Sequence, residues 1–378
     1  MLLSYEPLLN RQRAITGTRL LAHRQPNGPS IGEALNRLAE CWPGQRTVLL
    51  ALRGPLDSAD LRAWQPPVNA LVEIRLADFA DHDALVEDLR ARNVSLCLSG
   101  VNAATPLPQG EFRFLLATPG FKPDGAFPGI LIAEAPLDTE AFEDCLKRGF
   151  GGASGWFFLE SLARPPLQAQ AKKLSPAHAH LVRLLNLVRN GAEVSQIEAA
   201  LKQDVALSFK LLRYINSAGF GLSCEIQSFR HAVTILGYQT LNKWLSMLLV
   251  TASKDPAAPA LMQAAVVRGR LMELLGAGFF AKAELDNLFI TGAFSLLDAL
   301  LGAPLADILE LMRLPEAIND ALLKGEGIYA PFLALARTVE GGDGAALARQ
   351  VETLGLEPEA CNRAVLSALG FADSLLVG

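Results

Sequence analysis

The first 165 residues alternate short apolar runs with amphipathic segments. The runs have the length of buried strands and fall at Thr47–Leu52, Leu71–Leu76, Val94–Leu98, Phe112–Leu116 and Gly129–Ala133. Segments with helical spacing, such as 30–41 and 81–92, lie between them. This alternation predicts βαβ units and a mostly parallel sheet. Two further runs, 2–9 and 14–22, flank a polar segment and predict an opening hairpin.

The pattern changes to helical spacing throughout after about residue 170. Pro165 and Pro166 cannot continue a helix and suit an extended connector. Ser175 followed by Pro176 is typical of a helix start. The sequence therefore predicts an α/β domain over residues 1–164, a proline-containing linker over 165–174 and an all-helical domain over 175–378.

Composition narrows the class of protein. The chain has 378 residues, of which 51% are hydrophobic and 19% charged, and its formal net charge is -5. This composition is that of a globular protein with a substantial core, and the charge disfavours direct nucleic-acid binding. The apolar stretches are too short to span a membrane, and the N-terminus does not resemble a secretory signal. Scattered cysteines favour reduced thiols, so we expect a cytoplasmic protein without membrane insertion.

The histidines do not form the pattern of a metal-dependent hydrolase. His178 and His180 are two positions apart and point to opposite sides of a helix. The one His-Asp dipeptide, His82-Asp83, lies in the α/β half at a predicted helix start. Capping or surface roles are therefore favoured for these histidines over metal ligation.

One segment of the helical half, residues 197–237, carries several constrained positions. Asp204 can cap a helix that begins near Ala206, Asn216-Ser217 ends that helix, Ser228 can cap the next, and Gly237 can terminate it. This order resembles the HDOD family of signalling domains. The family is similar in fold to HD phosphohydrolases but lacks their metal ligands, so the resemblance implies a structural rather than a catalytic motif.

The order of several short motifs in the first half resembles that of an EAL domain, a barrel enzyme that hydrolyses cyclic di-GMP with two metal ions. Ala133-Glu134-Ala135 is similar to its Ala-Glu-Gly run, and Glu73 falls in its Glu-x-Thr-Glu strand. Other ligand positions of the family are replaced, by Arg19 in the Glu-Ala-Leu signature, Ala51, Ser99, Gly100 and Ser154. The resemblance implies a degenerate EAL-type (β/α) barrel. Because about 250 residues are usual for such a barrel, we expect it to be incomplete.

The combined architecture resembles an EAL–HDOD bacterial signalling protein whose chemistry is lost in both halves. We expect no catalytic residue, no metal and no cofactor. The favoured function is a non-catalytic scaffold that binds other signalling proteins in a pathway related to cyclic di-GMP, and a homodimer stays open. One alternative is a receptor that binds cyclic di-GMP without hydrolysis, with phosphates met by Arg19, Arg53, Arg75 or Arg113. A remoter alternative is a metal-dependent phosphodiesterase.

Overall fold

The first part of the chain folds into a closed barrel of eight strands. The computed structural model describes residues 1–25, 28–54, 58–102, 107–108, 110–122, 129–159, 176–201, 203, 228–250, 258–312 and 314–376. The predicted linker 165–174 lies outside these residues. The strands are β1 (Leu2–Asn10), β2 (Ile15–His23), β3 (Thr47–Arg53), β4 (Ala70–Arg75), β5 (Ser95–Val101), β6 (Phe114–Ala117), β7 (Ile130–Glu134) and β8 (Gly152–Ser154).

Strand order in the barrel follows chain order. β1 is antiparallel to both of its neighbours, β2 and β8, and every other pair is parallel. The opening hairpin and the parallel strands are therefore as the sequence predicts. The expectation of an incomplete barrel is wrong, because eight strands close the sheet within residues 2–154.

Short connections explain how so few residues close the barrel. The helices between strands are α1 (Ile31–Arg37), α2 (Ser58–Arg62), α3 (Asp83–Ala91) and α4 (Thr139–Lys147), with short 3-10 turns at Ala39–Cys41 and Leu76–His82. Among the described residues of the β5–β6 and β6–β7 connections there is no helix. The chain thus reduces the outer helices while it keeps the full set of strands.

The strands are apolar because both faces of the sheet are covered. One buried cluster takes a side chain from each of six strands, namely Leu8, Leu49, Leu71, Cys97, Leu116 and Ile132. Such a layer across the lumen is the packed interior of a barrel rather than a pore. It also fixes the face of each strand: residues two positions further along point into the same lumen.

The described residues from 176 onward are mainly helical. Its helices are α5 (Pro176–Arg189), α6 (Val194–Leu201), α7 (Phe229–Val250), α8 (Ala258–Gly276), α9 (Lys282–Phe294), α10 (Leu297–Leu301), α11 (Leu305–Glu310), α12 (Glu316–Asn319), a π-helical turn (Asp320–Lys324), α13 (Ala330–Val339), α14 (Gly344–Thr353) and α15 (Pro358–Leu376). The spacing of apolar residues predicts helices over 344–354 and 358–369, and α14 and α15 confirm both. It also predicts a helix over 206–217, which lies outside the described residues.

Two glycines allow geometry that other residues would block. Gly237 has φ 74° and ψ 169° inside α7, so it divides that helix into two parts, as predicted. Gly292 of α9 lies against α8, where an added Cβ would come within 2.7 Å of the Gly269 Cα. The two helices therefore approach closely at a pair of glycines.

Residues 337–370 belong to the same compact unit as the barrel, whereas residues 166–336 and 371–378 form a second unit. This grouping differs from the sequence-based boundary, which assigned everything after residue 175 to the helical domain. Its physical reason includes Asn362 of α15, whose Oδ1 accepts from the Leu3 backbone N–H at 2.8 Å and whose Nδ2 donates to the Met1 carbonyl at 3.0 Å. The sequence could not reveal this grouping, because the helical spacing of apolar residues does not show which element a helix packs against.

We expect the Asn362→Leu variant to lose about 1–3 kcal/mol of unfolding free energy, because Leu3 N–H would stay buried without an acceptor. Urea unfolding followed by tryptophan fluorescence measures this, since Trp42, Trp64 and Trp156 lie in the barrel. Glu357→Gln, at an exposed position just before the same helix, is the matched control. Equal midpoints for the two variants would contradict the role given to Asn362.

His23 should make the barrel unit sensitive to acid. Its ring is 7% exposed and its Nε2 lies 2.8 Å from the Ser4 hydroxyl. Burial first, and Arg53 second, lower the pKa of His23 below its usual 6.5, although Asp343 opposes the shift. The folded protein therefore holds His23 neutral while the unfolded chain takes up a proton as the pH falls below about 6.5.

Stability from this group is consequently present above pH 6.5 and lost as the pH falls. We expect His23→Gln to flatten the pH dependence of the unfolding midpoint between about pH 5 and 7. Urea titrations across that range provide the measurement. A slope unchanged by the substitution would mean that His23 does not titrate on unfolding.

Candidate functional site

The residues predicted from the EAL resemblance meet in one layer of the barrel. Glu73, Ser99 and Glu134 each follow a member of the apolar lumen layer by two positions, as does Ala51. They therefore point into the lumen one layer nearer the carboxyl ends of the parallel strands, where catalytic groups of such barrels lie. Arg19, Glu73, Ser99, Gly100 and Glu134 line one cavity of about 220 Å³.

Arg19 is the centre of this layer. Its Nε and Nη2 donate to the two carboxylate oxygens of Glu73 at 2.7 and 2.6 Å, in a bidentate pair. Nη2 also donates to Glu134 Oε1 at 2.8 Å, and Nη1 donates to Glu6 Oε2 at 3.3 Å. The side chains of Arg19 and Glu73 are almost completely buried. One guanidinium thus binds three carboxylates from three different strands.

The electrostatics of the cluster are dominated by its burial and its opposite charges. Burial alone lowers the pKa of Arg19, but the carboxylates, Glu73 above all, more than offset this and raise the net pKa. Arg19 therefore stays charged. Directly below, burial first and Glu73 second raise the pKa of the Cys97 thiol, so Cys97 is an inert part of the core.

The other positions that the EAL resemblance singles out have side chains without a carboxylate. Ala51 is buried, pairs in register with Glu73 and has only a methyl group to offer. Ser154 pairs with Glu134, and its buried hydroxyl has no hydrogen-bond partner among the described residues. Gly100, with φ 70°, lines the cavity next to Ser99 of β5.

The arrangement does not fit a catalytic metal. Both oxygens of Glu73 are bound by Arg19, and Glu134 Oε1 is shared with the same guanidinium. A divalent cation at these carboxylates would lie beside a buried positive charge and would be repelled. Within the described residues, no group of three or more His, Cys, Asp or Glu side chains is placed to hold a metal ion.

Glu6 is a member of the cluster that sequence reasoning missed. It lies on β1 directly opposite Arg19 of β2 in the antiparallel register. The signal was present in the predicted hairpin, because opposite charges at facing positions of paired strands are expected to interact.

Arg53 and Arg75 also line the cavity. Arg75 Nε donates to Asp78 Oδ2 at 2.5 Å, and its side chain is 54% exposed. Arg53 is half-buried and has no hydrogen bond or ion pair to any described residue. Arg53 therefore brings to the cavity a positive charge that no described residue pairs with.

The HDOD motif residues are only partly described. Ser228 accepts from the His231 backbone N–H at 3.2 Å, so its hydroxyl caps the start of α7. Gly237 breaks that helix as stated above. Asp204, Asn216 and Ser217 lie outside the described residues.

Comparison with known proteins identifies one domain of this chain and finds two similar proteins. Residues 174–292 match the model of the HDOD domain, so the helical part contains an HDOD domain. The chain is 27% identical over 245 residues to the cyclic di-GMP phosphodiesterase CdgJ of Vibrio cholerae, covering 65% of this chain and 56% of that protein. It is 24% identical over 218 residues to the uncharacterized protein YuxH of Bacillus subtilis, covering 57% and 52%. The chain thus spans about half the length of these relatives.

Solved structures were also found, with weaker agreement. A putative phosphohydrolase from Shewanella amazonensis has 17% identity and a TM-score of 0.36 over 58% of this chain and 97% of its own. An HDOD domain protein of unknown function from Geobacter sulfurreducens has 17% identity and a TM-score of 0.36 over 57% and 91%. Because both TM-scores are low, no structural conclusion rests on them.

We expect Arg19→Met to lose about 3–5 kcal/mol of unfolding free energy at neutral pH, because the buried carboxylate of Glu73 would lose its partner. Urea unfolding at neutral pH measures this loss. Arg75→Met, at an exposed ion pair, is the control and should cost at most about 1 kcal/mol. Equal losses for the two variants would contradict the role given to Arg19.

Proposed function

We propose that this protein is a non-catalytic signalling protein with a degenerate EAL-type barrel and an HDOD domain. It acts by binding other signalling proteins in a bacterial pathway related to cyclic di-GMP. The HDOD match and the similarity to a protein named as a cyclic di-GMP phosphodiesterase support this context. Within the described portion of the chain, none of the helices has the length and apolar character needed to cross a bilayer.

The observation that carries the proposal is the binding of Glu73, Glu134 and Glu6 by Arg19. Metal-assisted phosphodiester hydrolysis needs free anionic ligands that hold the cations and lower the pKa of an attacking water. In this barrel the corresponding carboxylates are occupied by a permanent cation that supplies no water and no open coordination position. The barrel keeps its strands but not the chemistry of its carboxyl end.

We further propose that the protein functions in the cytoplasm without a cofactor and without direct contact to nucleic acid. Its partners would be other signalling proteins. Pairing with a second copy of the chain stays open, and a measurement of mass decides it. Sedimentation of the purified protein distinguishes a monomer from a dimer.

A direct assay tests the loss of hydrolysis. Purified protein incubated with cyclic di-GMP and Mg²⁺ or Mn²⁺ should form no linear dinucleotide above the rate of a protein-free control. The Glu73→Gln variant should give the same result. Metal-dependent turnover by the wild type that the Glu73→Gln substitution abolishes would refute the proposal and establish an active phosphodiesterase.

A second function is favoured by Arg53. Its guanidinium lines the cavity, has no ion pair with a described residue, and is a group that binds phosphate well. A receptor for cyclic di-GMP would then bind the nucleotide at the barrel without cleaving it. Calorimetry with and without Mg²⁺ separates the two functions: saturable binding that Arg53→Gln weakens favours the receptor, and absence of heat favours the scaffold alone.

A further inference from the structure

A second cavity lies inside the helical unit and is unrelated to the barrel. Its volume is about 530 Å³, within the range of small-molecule sites. Four segments converge on it: the end of α5, the part of α7 that begins after Gly237, the first half of α9 and the residues before α12. Its wall is formed by Val188, Arg189, Asn190, Tyr238, Gln239, Asn242, Glu284, Asp286, Asn287, Leu314 and Pro315.

Arg189 brings a positive charge into this wall, and its hydrogen bonds to described residues go to neutral acceptors. Its Nε donates to Asn242 Oδ1 at 2.9 Å and its Nη1 donates to the Met312 carbonyl at 2.9 Å. Its Nη2 is buried and has no hydrogen-bond partner among the described residues. Burial lowers the pKa of Arg189 to about 10. A negative charge in the cavity beside the guanidinium would offset this buried positive charge.

Asp286 brings an opposite charge that is also incompletely compensated. Its Oδ1 is 3.5 Å from Lys243 Nζ, which is bound more closely by Glu273. Lys243 also lies 4.6 Å from the centre of the Phe289 ring. Burial first raises the pKa of Asp286, and Glu273 adds to this, although Lys243 opposes the shift. A further cation near Asp286 would therefore be stabilised, and Glu284 stands in the same wall.

We propose that this cavity binds a free α-amino acid, whose carboxylate pairs with Arg189 and whose ammonium group pairs with Asp286. A guanidinium is the side chain best suited to a carboxylate, and the two acidic residues disfavour a phosphate, which carries only negative charge. The amide groups of Asn190, Gln239 and Asn287 supply further hydrogen bonds for the ligand. This function goes beyond scaffolding, because it gives the helical unit a small-molecule input.

Binding is tested on the full-length protein with defined probes. Each of the twenty genetically encoded amino acids is titrated separately by calorimetry, alongside acetate, methylammonium and inorganic phosphate as ligands of a single charge sign. At least one amino acid should bind saturably and raise the melting temperature, and the single-charge probes should not. Absence of binding by every amino acid, or equally tight binding of acetate or phosphate, overturns the proposal.

Variants locate the site. Arg189→Gln and Asp286→Asn should each weaken the binding of that amino acid by about tenfold or more, because each removes one of the two charge pairs. Arg183→Gln, at an exposed position of the same helix, is the matched control and should bind as the wild type does. Circular dichroism measures whether each variant is folded. If Arg189→Gln does not fold, the affinity of the Asp286→Asn variant alone tests the site. Wild-type affinity in a folded variant of either residue overturns the assignment.

Discussion

A single buried guanidinium holds together the carboxyl end of the barrel. Arg19 of β2 bonds to Glu6 of β1, Glu73 of β4 and Glu134 of β7, so it joins strands that are not neighbours in the sheet. Charges taken out of water are tolerated only where partners and hydrogen bonds replace the solvent, and here each group depends on the others. The same bonds that stabilise the layer also occupy the atoms that a metal would require. Both carboxylate oxygens of Glu73 are therefore occupied by the same contacts that order the layer.

The same layer shows which features of the barrel could be predicted from the sequence and which could not. Strand-length apolar runs and the hairpin predicted the barrel strands, because alternation in a covered sheet leaves a clear pattern. Glu73 and Glu134 could be placed at strand ends, but their role could not be read from the chain. The sequence alone does not show whether a glutamate near a strand end faces water, a metal ion or an arginine. Only the closure of the sheet brings Arg19 within reach of all three.

The expectation that so short a chain forms an incomplete barrel is also wrong for a physical reason. A barrel needs its strands to close the hydrogen-bonded sheet, but the outer helices can be shortened wherever other elements cover the strands. Here the chain uses brief connections, with α2 only five residues long, and recruits residues 337–370 to the barrel unit. Helical spacing predicted α14 and α15 correctly, whereas the surface that they cover is decided by groups such as Asn362 and could not be inferred.

The attachment of Asn362 to Met1 and Leu3 has a consequence for biosynthesis. The first strand leaves the ribosome long before the helix that binds it, since more than three hundred residues separate the two groups. During translation the Leu3 N–H and the Met1 carbonyl therefore lack this partner until residue 362 has been synthesised. The barrel unit completes this contact only after the intervening residues 166–336 of the second unit have left the ribosome, so a substitution at residue 362 affects the part of the unit that was synthesised first.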